Sequence, residues 1–109
     1  MNFFKIPQNN SEIIWTKHVI DKMKYYQLSE NQLKRVLRNY QRQEEGIAPG
    51  TIALMRPAGT KRPTEIWLMY QEIEGKKKII TAWRYPGISP SQNLPIPKEI
   101  VKELNTFSS

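Results

Sequence analysis

The sequence predicts an α+β domain with two N-terminal helices packed on a small antiparallel sheet, followed by a proline-rich arm and a short C-terminal helix. Three observations predict it. Residues 16–40 carry apolar side chains at helical spacing in two runs, with a capping serine between them. Residues 51–85 carry three strand-like runs separated by Gly- and Pro-containing turns. Residues 86–97 hold four of the eight prolines, a density that no regular element accommodates. At 109 residues this is one domain, 1–109, with a core over about 13–85 and an arm and helix over 86–109.

Taken in order, residues 1–11 form an irregular lead-in with Pro7 and the turn cluster Asn9-Asn10-Ser11. Glu12-Ile13-Ile14-Trp15 reads as a short strand entering the first helix. Thr16 is the N-cap, which puts His18 in the first turn. At about 100° per residue, Val19, Ile20, Met23 and Tyr26 fall on one side. His18, Lys22 and Tyr25 fall within roughly 60° of each other on the adjoining edge. Ser29 and Gln32 form a capping box for the second helix, whose apolar face is Leu33, Val36, Leu37 and Tyr40.

Gly46, Pro49 and Gly50 end the helical pattern. Thr51 to Arg56 is a strand, and the loop 57–63 carries Lys61 and Arg62. Thr64 to Ile73 is apolar on both faces, as expected of an interior strand. Glu74-Gly75 is a turn into a strand over Lys76 to Tyr85. Strict alternation there puts Ile79, Thr81, Trp83 and Tyr85 on one face and Ile80, Ala82 and Arg84 on the other. Lys98 to Phe107 is the final helix, with Ile100, Leu104 and Phe107 on one side.

Composition narrows the chemistry. There is no cysteine and only one histidine, so neither a disulfide framework nor a zinc site is expected. No apolar run has the length of a membrane span, and the Met1-Asn2-Phe3 start lacks leader character, which points to the cytoplasm. Net charge is +7, and between Thr16 and Arg42 seven cations face two acids. Such a balance suits nucleic acid, an anionic surface or an acidic protein. The chain has no Gly-rich phosphate loop, His-Glu-x-x-His motif, Asp-rich metal cluster or nucleophile elbow.

What remains is one histidine among cations. RNA transesterification fits that inventory, because RNA supplies its own 2′-hydroxyl nucleophile and the protein needs only a base, an acid and positive charge. His18 is the candidate base or acid; its plainer alternative is a helix-start hydrogen-bond donor. Lys22 and Arg84 are candidates for stabilising phosphate charge, although Arg84 would serve equally as an ion-pair partner of Glu65 or Glu72. Tyr25 and Tyr85 are candidate stacking groups, and Arg56, Lys61 and Arg62 candidate backbone-phosphate contacts. Lys76-Lys77-Lys78 reads as a guard against aggregation of the adjoining strand. No metal and no cofactor is expected.

The run Thr16-Lys17-His18-Val19-Ile20-Asp21-Lys22-Met23, with Leu28-Ser29-Glu30-Asn31-Gln32-Leu33, Val36-Leu37 and Ile79-Ile80-Thr81, resembles a group of small bacterial domains of unknown function. These are akin to RelE/ParE-like and BrnT-like toxins, the ribonucleases of toxin–antitoxin systems. The resemblance covers roughly residues 13–85. It implies a two-helix, antiparallel-sheet fold of the RelE kind that cuts RNA without a metal and meets an acidic antitoxin. By position it carries over to His18, to Lys22 where arginine is commoner, and to Thr81 as a substrate-binding residue. Lysine at 22 supplies a point charge rather than a bidentate fork. Two other expectations stand beside the ribonuclease: a non-catalytic nucleic-acid-binding module and a basic protein-interaction domain.

Overall fold

The computed structural model describes residues 4–91 and 93–107, with side chains described as far as Asn105. Met1-Asn2-Phe3 and the Phe107 side chain therefore lie outside the described residues. Among these residues the order is β1 (Ile13–Trp15), α1 (Lys17–Tyr26), α2 (Glu30–Arg38), β2 (Arg42–Glu45), β3 (Thr51–Pro57), β4 (Thr64–Ile73), β5 (Lys76–Pro86) and α3 (Lys98–Phe107). The strands form one sheet in the order β1-β5-β4-β3-β2. No helix among the described residues is long and apolar enough to cross a membrane.

The expected pair of N-terminal helices on a small antiparallel sheet is overturned. The helices follow the first strand, and that strand pairs parallel to β5, with Ile13 opposite Lys77 and Trp15 opposite Ile79. The sheet is thus mixed and five-stranded, and the same correction applies to the fold that the resemblance implies. The parallel pairing has a local cause. Ile13 and Trp15 are buried, and Thr16 donates its hydroxyl to the carbonyls of Ile79 (2.8 Å) and Ile80 (3.1 Å), fixing the exit of β1 onto β5. β2 was not expected either. Arg42-Gln43-Glu44-Glu45 has no strand propensity, but it is held in register against Ile52–Met55, and tertiary pairing overrides the local preference. α2 stops at Arg38, so Tyr40 lies outside the helix and is exposed.

Both helix starts are built as the capping residues require. The Thr16 oxygen accepts from the Val19 N–H, and Ser29 and Gln32 close a reciprocal capping box. The β4–β5 hairpin turns through Glu74 (φ 50°) and Gly75 (φ 80°), consecutive left-handed residues that match the twist of the strands. At Gly46 the requirement is space: a side-chain carbon there would meet the Thr51 side chain and lie 2.8 Å from Met69 Sδ.

Two apolar clusters flank the sheet. On one side α1 and α2 bury Val19, Met23, Leu33 and Val36 against Leu54, Leu68, Ile79 and Ala82. On the other, Ala53, Met55, Trp67 and Trp83 are covered by Ile100, with Leu94, Ile96 and Leu104 packed around it. The alternation expected along β5 breaks at one point. Thr81 pairs with Met69 but Ile79 pairs with Tyr70, leaving Ile80 as the extra residue of a bulge. Ile79 therefore joins the helix-side cluster, while Trp83 lies in the opposite one.

Candidate functional site

β1 covers β5 only as far as Ile79. Beyond it that edge of the sheet is bordered by α1. Val19 and Met23 enter the first cluster, and the neighbouring edge of α1, with His18 and Lys22, turns toward α3. The sheet bulge and the Thr16 cap together bring the first turn of α1 to Thr81. His18 Nε2 lies 2.9 Å from Thr81 Oγ1, and Thr81 is fully buried. The Lys22 ammonium is 2.8 Å from Glu103 Oε1 and 5.5 Å from the centre of the Tyr25 ring. The same carboxylate oxygen is 3.9 Å from His18 Nε2. Tyr25 meets Tyr26 edge-on at 4.8 Å and is 74% exposed.

Of these residues, His18 and Glu103 line a groove of about 720 Å³. Its walls include His18 and Asp21 from α1 and Glu103 from α3, and its floor includes Thr51, Met69 and Ile80 of the sheet. The His18 side chain is only 9% exposed at this edge. Burial lowers its pKa below the ordinary 6.5; Glu103 opposes that, Lys22 adds to it, and Asp21 opposes it more weakly. The imidazole is therefore neutral at neutral pH and able to accept a proton. The Tyr26 phenol moves the other way, its pKa raised by burial and then by Tyr25, Glu99 and Glu103.

Arg84 is elsewhere. Its Nε donates to the Tyr26 carbonyl (2.7 Å) and its Nη2 to the Gln27 carbonyl (3.0 Å), capping the C-terminal end of α1. Tyr26 is eight residues from His18, which at 1.5 Å per residue is about 12 Å along the axis. His18 and Arg84 therefore stand at opposite ends of α1. Neither expected ion pair forms, because Glu65 is committed to other donors and Glu72 pairs with Lys77. Arg84→Ala should cost stability, about 1.5–3 kcal/mol for hydrogen bonds from a charged donor. Urea denaturation checks this, and any effect on RNA should vanish once it is normalised to folded protein.

The other predicted residues are also dispersed. Arg56 Nη1 donates to the Asn39 carbonyl (2.9 Å), closing the end of α2. Lys61 and Arg62 are exposed on the β3–β4 loop, beside the Pro57–Glu65 end of the strand pair, whereas the groove lies at the Thr51–Gln71 end. Tyr85 pairs with Glu65 at that far end and packs on the second apolar cluster. The structure thus brings together His18, Lys22, Thr81 and, through Lys22, Tyr25. It does not bring Arg84, Arg56, Lys61, Arg62 or Tyr85 to them.

Two features escaped sequence reasoning. Glu103 lies beside the apolar stripe of α3, and no pattern within residues 98–107 tells which acid meets α1. The second is a buried polar cluster. Glu65 Oε1 accepts from Trp67 Nε1 (3.0 Å) and Ser89 Oγ (2.6 Å), and its Oε2 from the Ser89 N–H (3.2 Å). Arg42 Nη1 donates to Ser89 Oγ (2.7 Å), and the guanidinium lies 5.0 Å from the centre of the Trp67 ring. A cavity of about 500 Å³ borders this cluster. Among the described residues no three His, Asp or Glu side chains are grouped so as to hold a metal ion. No family model, curated protein or solved structure matches the chain.

Proposed function

We propose that this is a metal-independent endoribonuclease domain of the toxin kind, acting by transesterification at the His18 edge of the groove. The observation that carries the reading is a largely buried imidazole, hydrogen-bonded to Thr81 at a groove edge, with an ammonium one helical turn away. In this reading the ribose 2′-hydroxyl displaces Thr81 from Nε2 and gives His18 its proton. The 2′-oxygen bonds to phosphorus, the bond to the 5′-oxygen breaks, and that oxygen takes a proton from water. Lys22 offsets the charge gathering on the phosphoryl oxygens. Tyr25, exposed beside Lys22, offers a face to an unstacked base. The reading implies an RNA substrate, an acidic antitoxin able to meet the +7 surface, and a cytoplasmic setting.

A second reading, non-catalytic nucleic-acid binding, is favoured by one observation. Arg84, the expected second group for stabilising charge in the reaction, spends Nε and Nη2 on main-chain carbonyls at the far end of α1. RNA incubated in EDTA with the protein and with His18→Ala separates the two. Cleavage to 2′,3′-cyclic phosphate ends is expected, slowed by about 100-fold or more in the mutant. Because the base must be unprotonated and its pKa is lowered, the rate should rise with pH along a single titration whose midpoint lies below the ordinary 6.5. Undiminished cleavage by His18→Ala removes that residue from the chemistry. Salt-sensitive binding without scission selects the second reading.

A further inference from the structure

The carboxylate of Glu103 is an anion already seated on the ammonium assigned to phosphate, beside the imidazole assigned as base. Its Oε1 is 2.8 Å from Lys22 Nζ and 3.9 Å from His18 Nε2. It comes from α3, which is held on the opposite cluster by the fully buried Ile100. Helix docking therefore does not depend on the ion pair. A carboxylate and a phosphoryl group offer the same feature to an ammonium, a negatively charged oxygen at hydrogen-bond distance.

We propose that Lys22, bordered by the His18 ring, forms a phosphoryl-oxyanion site and that Glu103 is its built-in competitor, a carboxylate that an incoming phosphate must displace. The inference rests on the ribonuclease reading for the use of the site but not for its binding chemistry. Displacement is local. The Glu103 side chain is 42% exposed, so it can turn into solvent while Ile100 stays on the sheet. With its Oε1 buried against the ammonium and the rest of the side chain partly exposed, this carboxylate is a displaceable plug rather than a lock. It sets a threshold that a polyanion such as RNA crosses more readily than a single small anion. Lys22 is then not left with an unpaired charge when the site is empty.

The lone histidine makes the test clean, because its ring protons are single reporters in the NMR spectrum. Inorganic phosphate is titrated into the protein, into Glu103→Gln and into the double variant Glu103→Gln/Lys22→Gln. The amide keeps the shape of the side chain and removes its charge. The His18 ring signals should move saturably in Glu103→Gln, with affinity about tenfold above that of the parent, and the response should vanish in the double variant. Equal affinity in the parent and Glu103→Gln overturns the competitor. Failure of all three to bind overturns the oxyanion site, as does binding that survives in the double variant. RNA cleavage by the same proteins keeps the two readings apart. Phosphate binding that obeys the pattern without any scission sinks the ribonuclease and leaves the oxyanion site standing. Scission at one rate in the parent and Glu103→Gln, with equal phosphate affinity, sinks the competitor and leaves the ribonuclease standing.

Discussion

Trp83→Ala is expected to lower the unfolding free energy by about 3–5 kcal/mol, the range for deleting a buried aromatic side chain. Trp83 is fully buried and stacks on Trp67 with ring centroids 5.6 Å apart and planes 3° from parallel. It belongs to the cluster that carries Ile100, so the deletion leaves a cavity under the very residue that docks α3. A domain of this size has about 5–15 kcal/mol in total, so the variant should lie near the edge of folding at room temperature. Trp83→Phe gives the contrast. The indole Nε1 is buried without a hydrogen-bond partner among the described residues, so phenylalanine removes an unsatisfied donor along with some volume. Its cost should stay under about 1.5 kcal/mol. Urea titrations followed by far-UV circular dichroism measure both. A loss below about 1 kcal/mol for Trp83→Ala would mean that α3 and its arm close over the cavity.

Local chemistry was readable in the sequence, and long-range pairing was not. Thr16, Ser29 and Gln32 announce the helix starts because a cap is an interaction over three residues. The β4–β5 turn is readable for the same reason, since Gly75 alone tolerates its backbone angle at no cost. β2 carries no such mark: its charged residues become a strand only because β3 is there to pair with. The parallel pairing of Ile13 with Lys77 spans most of the chain, and the bulge at Ile80 exists only in the register of two strands. The site divides the same way. His18 and Lys22 are one helical turn apart, so their proximity follows from α1 alone. Arg84 looked equally suited to phosphate, but a guanidinium beside a helix end finds two carbonyls first. Thr81 came only through the resemblance. Glu103 and Lys22 meet through the docking of α3, which rests on the two tryptophans at the far side of the sheet.

Glu65→Ala should be as damaging as loss of the tryptophan, at about 3–5 kcal/mol, although it removes no apolar contact. Glu65 is 4% exposed and is the acceptor for three donors, the Trp67 indole, the Ser89 hydroxyl and the Ser89 amide. Alanine strands all three in a region that water reaches poorly, and each unsatisfied buried donor costs about 1–3 kcal/mol. Arg42 suffers indirectly, because the Ser89 oxygen that accepts from it is positioned by its own bond to Glu65. Glu65→Gln separates shape from acceptor capacity. Its single carbonyl can still serve Trp67 and the Ser89 hydroxyl, while its NH2 group opposes the Ser89 N–H, so a cost of about 1–2 kcal/mol is expected. The order alanine, glutamine, parent should appear in the urea midpoint. It should also appear in hydrogen exchange at the Ser89 amide, which reports the hold of the arm on the sheet. If alanine and glutamine exchange Ser89 at the same rate, the arm is held by packing at Leu94 and Ile96 and not by the carboxylate.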